Sequence, residues 1–83
     1  MMTTMRFAAT ATCPKDGEQI KMAVEIVTQR FILVETVLAA AGVISASPVF
    51  QEDFTRQLAE ALGRDVTVTT RGTHSGVDIT CSA

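Results

Sequence analysis

The chain has 83 residues, 47% hydrophobic and 19% charged, a composition that excludes a disordered polypeptide and allows one domain with a modest core. Nine acidic and seven basic residues give a net charge of −2. The basic residues, Arg6, Lys15, Lys21, Arg30, Arg56, Arg64 and Arg71, stand singly, so nothing matches a run of phosphates and duplex nucleic acid is excluded as a partner.

The four aromatic residues are all Phe, which leaves no platform on which RNA bases would stack. Two cysteines, Cys13 and Cys81, are too few for a disulfide scaffold and fit no zinc-ligand spacing. The nearly uncharged run from Phe31 to Phe50 is broken by Glu35, Gly42 and Pro48, so it reads as buried helix plus loop, not a membrane span. With no leader pattern at the start, the expectation is a cytoplasmic protein without cofactor, metal or membrane contact.

In chain order, the first segment has two readings. One apolar stripe at helical spacing runs from Ile20 through Val24, Val27, Phe31 and Val34 to Ala41, while Ile20, Met22, Val24 and Ile26 alternate as in a strand. Pairing favours the strand. Folding back at Pro14-Lys15-Asp16-Gly17 sets Met5 opposite Ile26, Phe7 opposite Val24, Ala9 opposite Met22 and Ala11 opposite Ile20. Arg6 then faces Glu25 on the other side. The predicted hairpin covers residues 4–13 and 18–27.

A helix is predicted from Gln29 to Ala41, capped by Thr28 and stopped by Gly42, with a linker or a very short strand over 43–47. A second helix is expected to start with Ser47 as cap and Pro48 in the first helical position. Its buried stripe is Phe50, Phe54, Leu58, Ala61 and Leu62; Glu52 and Asp53 suit its positive end, and Gly63 ends it. A second hairpin, turning at Gly72-Thr73-His74-Ser75, pairs Val68 with Ile79 and Val66 with Cys81. The resulting class is α+β, a β-hairpin–helix–helix–β-hairpin (ββααββ) with both helices on one face of antiparallel sheet. Whether the two hairpins join into one sheet is left open at this level.

Few residues offer chemistry. Cys13 reads first as the last inward residue of a strand. As an alternative, a helix from Asp16 onward would activate its thiol. The Cys13-Pro14 dipeptide is similar to one after the first strand of small β-α-β-α-β-β sulfur-carrier domains, with Asp16 where those have a second proline. His74, the single histidine, lies among Arg71, Thr73 and Ser75 and reads as a solvated hairpin tip, with phosphoryl transfer as the sharper alternative. Arg71 and Asp78 approach each other near that tip. With no catalytic constellation visible, the expected function is a small non-enzymatic interaction module. It would dock on a larger protein as inhibitor, adaptor or accessory subunit, in the manner of mobile-element inhibitors, and would form a homodimer through the apolar 31–44 stretch. The alternative is a sulfur or phosphoryl carrier using Cys13 or His74.

Overall fold

A computed structural model describes residues 1–83. Its elements are β1 (Thr3–Thr12), β2 (Gln19–Thr28), α1 (Val34–Ser45), α2 (Gln51–Leu62), β3 (Val66–His74) and β4 (Val77–Ser82). The four strands form one antiparallel sheet in the order β1-β2-β3-β4, which is the expected ββααββ arrangement of an α+β fold. The two hairpins therefore join side by side, through β2 and β3. No helix is long and apolar enough to cross a membrane.

The first hairpin has the register that its apolar pattern predicts. Met5 faces Ile26, Phe7 faces Val24, Ala9 faces Met22 and Ala11 faces Ile20. Arg6 meets Glu25 at 3.0 Å on the outer face, where solvent keeps the pair weak. A slip of one residue would turn every apolar side chain of β2 to water, which is why the pattern determines the pairing. The inward residues Ile20, Met22, Val24 and Ile26 of β2 and Val66 and Val68 of β3 form the floor of the core. Phe54, Leu58 and Leu62 of α2 and Val37 and Ala41 of α1 cover it.

Three local expectations are corrected. The first helix starts at Val34, not Gln29, and passes through Gly42 to Ser45. Thr28 remains in β2, paired with Thr3 and Val66, and its hydroxyl accepts the Arg30 N–H at 3.0 Å, so it closes a local turn and caps no helix. The second helix starts at Gln51, after an extended Phe50. The Val49 N–H is donated to the Thr12 carbonyl at 2.9 Å, which lays this stretch against the end of β1 and keeps Pro48 out of the helix. Phe50 is consequently exposed, and Gln51 takes the inward position in its place.

The second hairpin turns later than expected, at Ser75-Gly76, where both residues are left-handed with φ of 51° and 81°. A two-residue turn between twisted strands requires that backbone, and Gly76 adopts it without steric cost. Ile79 therefore faces Gly72 and Cys81 faces Thr70, instead of Val68 and Val66. The displacement is even, so the same side chains still point inward.

Two substitutions test this packing. Phe54→Ala removes a side chain with no exposed surface and should cost about 3–5 kcal/mol, read as a lower urea midpoint. Gly42→Ala should raise stability by about 0.5–1 kcal/mol, because Gly42 lies inside α1 and an added Cβ would meet nothing within 4 Å. A loss of stability in the second variant would mean that α1 ends at Gly42.

Candidate functional site

The pairing of β2 with β3 extends to Met22 opposite Gly72, so the start of β2 lies alongside the end of β3. This brings the loop of the first hairpin and the turn of the second to the same end of the sheet. The first loop is closed by Cys13 N–H to the Glu18 carbonyl at 2.8 Å and by Gly17 N–H to the Cys13 carbonyl at 2.9 Å. Gly17, at φ 76°, supplies the left-handed corner. Within the loop the Asp16 carboxylate accepts the Glu18 N–H at 3.0 Å.

Across the gap, His74 Nε2 lies 3.0 Å from Asp16 Oδ2 and 3.6 Å from Glu18 Oε1. Glu18 also accepts the Ser75 N–H at 3.0 Å and the Ser75 hydroxyl at 3.2 Å. Cys13 is buried beneath them. Its sulfur, an Asp16 oxygen and a His74 nitrogen all lie within 4.8 Å of one another. The Asp16 carboxyl is held below its ordinary value of 3.8, first by the Glu18 N–H and then by the Cys13 thiol and by His74. It is thus a carboxylate across the neutral range, set between a thiol and an imidazole.

The start of α2 lies over this cluster. Val49, Phe50, Gln51 and Glu52, with Ile20 and Ile79, enclose a cavity of about 40 Å³ that Cys13 and His74 also line. Gln51 is buried, and its Nε2 donates to Thr70 Oγ1 at 3.1 Å and to the Ile79 carbonyl at 3.1 Å. Its Oε1 has no partner. An orphan acceptor at that depth is costly unless a ligand or water supplies a donor. Larger hollows of about 550 and 620 Å³ open elsewhere, but their walls hold neither a cysteine nor the histidine.

Of the residues singled out in the sequence, Cys13, His74 and Ser75 converge here. His74 is the last residue of β3, facing inward and bound to a carboxylate, which corrects the reading of a free loop tip. No helix follows Cys13, so that route to an activated thiol is absent. Arg71 and Thr73 point to the opposite, outer face; Thr73 donates to Asp78 at 2.7 Å, so the expected Arg71–Asp78 approach is replaced by that bond. Sequence reasoning missed Asp16, Glu18 and Gln51. The spacing of Gln51 to Phe54, Leu58 and Leu62 places it on the inward face of α2, a signal obscured by starting that helix at Pro48.

No family model matches the sequence, and no curated protein matches it. Among solved structures, the chain is similar to the archaeosine synthase QueF-Like in its apo form. The TM-score is 0.82 at 14% identity, over 99% of this chain and 90% of that one. The chain thus shares its fold with an enzyme. That finding overturns the reading of a non-enzymatic docking module, which rested on seeing no reactive groups together in the sequence, whereas Cys13, Asp16 and His74 meet in space. The likeness to sulfur-carrier domains fails on topology, since a second strand and not a helix follows Cys13-Pro14.

A carboxyl NMR titration checks the electrostatics of the loop. Asp16 should titrate below the ordinary carboxylate range, and His74→Ala should move it only partway back, because the Glu18 N–H is the larger cause. A full return would assign the effect to His74 alone.

Proposed function

We propose that this chain is a thiol-dependent enzyme, or a subunit of one, with Cys13 as nucleophile and Asp16 as the proton-transfer group. The observation that carries this reading is the convergence of Cys13, Asp16 and His74 beside a cavity with an orphan acceptor, within a fold used by an enzyme. The sulfur attacks an electrophilic carbon of a small substrate. As the S–C bond forms, the thiol proton passes through the Asp16 carboxylate to the substrate atom that gains the electron pair. His74 donates from Nε2 to Asp16 Oδ2 and so fixes the carboxylate beside the thiol. The Gln51 Oε1 accepts an N–H or O–H of the substrate.

A cavity of about 40 Å³ admits the reacting group, so the body of the substrate rests outside it, toward the exposed Phe50 and Glu52. The name of the structural neighbour supplies the substrate class to try first, the compounds converted by archaeosine synthase. Cys81 has a different role. Desolvation, followed by the charge of Glu52, raises its pKa above the ordinary 9.0 and keeps it a protonated packing residue.

The test is turnover of archaeosine-synthase substrates, with intact-protein mass spectrometry to trap an adduct. Cys13→Ser should abolish turnover and adduct, and Asp16→Asn should lower the rate by about 10²–10⁴-fold. Cys81→Ser should leave both unchanged. Undiminished turnover in Cys13→Ser would remove the thiol mechanism.

A further inference from the structure

The same cluster has the composition of a metal site with one open position. A thiol, an imidazole and a carboxylate are the donors that zinc takes, and three protein ligands plus an exchangeable fourth is the pattern of its reactive sites. With zinc bonds of about 2.0–2.3 Å, tetrahedral geometry sets ligand atoms roughly 3.3–3.8 Å apart. The present atoms lie within 4.8 Å of one another, with the Asp16–His74 pair at 3.0 Å. Closure onto an ion therefore needs shifts of about 1 Å, within what a hairpin loop and a neighbouring turn supply.

Two further observations point to a bound ion and its water. The cavity of about 40 Å³ beside Cys13 and His74 has the size for a coordinated water rather than a ring. Gln51, 94% buried, lines the same cavity, and its Oε1 is an acceptor without a partner. Glu18 adds negative charge 3.6 Å from the His74 nitrogen and is itself held by Ser75, so the cluster favours a dication over an anion. The ligands come from positions 58 residues apart, which is why no spacing motif announces them.

We propose that Cys13, Asp16 and His74 bind a zinc ion, and that the metal-bound state is a silenced form of the site. On binding, the Cys13 S–H bond breaks and its proton leaves to solvent. The sulfur donates to zinc, and His74 presents its Nε2 lone pair with the ring proton on Nδ1. The hydrogen bond between His74 and Asp16 is thereby exchanged for two bonds to the metal. Silencing rests on the reading of Cys13 as nucleophile; binding rests on geometry alone.

The experiment titrates the full reduced chain with cobalt(II), whose thiolate-to-metal charge-transfer band reports sulfur ligation. One equivalent should produce that band, and one equivalent of zinc should displace it. Cys13→Ser should lose the band and Cys81→Ser should keep it, with circular dichroism confirming that both remain folded. Zinc should also stop iodoacetamide labelling of Cys13, and EDTA should restore it. Absence of the band, or its survival in Cys13→Ser, overturns the site. Cobalt binding by a chain whose metal-free, reduced form shows neither turnover nor adduct overturns the thiol-enzyme reading and leaves the metal site standing. Turnover and Cys13 labelling that zinc leaves unchanged overturn the metal site and leave the enzyme reading.

Discussion

The pairing of β2 with β3 is the constraint on which the rest of the structure depends. Each terminal hairpin is a local object, held by its own turn and its own apolar face, and an isolated hairpin is marginal in water. Seven residue pairs from Met22–Gly72 to Thr28–Val66 weld the two into one sheet across the whole helical segment. The weld creates a floor wide enough for α2 to bury Phe54, Leu58 and Leu62. It also decides which loops are neighbours. Cys13 and Asp16 reach His74 through that pairing, since no element of local sequence connects them.

Next to this weld the core contains a small polar node. Thr55 donates to the Gln51 carbonyl at 2.8 Å and meets Thr70 at 2.7 Å, while Gln51 reaches Thr70 and Ile79 on two strands. Buried polar groups in such a network specify a unique docking of α2, because any other placement strands their donors. The one atom left unsatisfied, Oε1, belongs to Gln51, a residue that lines the candidate site. Leftover hydrogen-bonding capacity in an otherwise closed network is a feature of sites built to receive something.

The first hairpin was legible in the sequence because four apolar pairs agree with one loop and one charge pair, and no other register satisfies them all. The second was legible in its faces and not in its register. Gly72 and Gly76 both offer a turn, and an even displacement leaves Val66, Val68, Ile79 and Cys81 pointing inward, so polarity does not discriminate between them. Helix starts were misread where hydrogen bonds outside the helices prevailed: Thr28 stayed in the sheet, and Val49 was claimed by Thr12. The candidate site was half legible. Cys13 and His74 drew attention as isolated residues, but their meeting through Asp16 depends on a long-range pairing that local pattern does not encode.

The helix α1 buries only Val37 and Ala41, while Leu33, Val34, Leu38 and Val43 remain in water. Of the two helices it is the less deeply attached, since α2 buries five residues. In a native-state hydrogen-exchange experiment its amides would open at a free energy well below that of the sheet, as a separate subglobal unit. The molecule thus has a stiff half, the strand weld with α2, which holds the reactive groups. Its softer part is α1, which holds none of them.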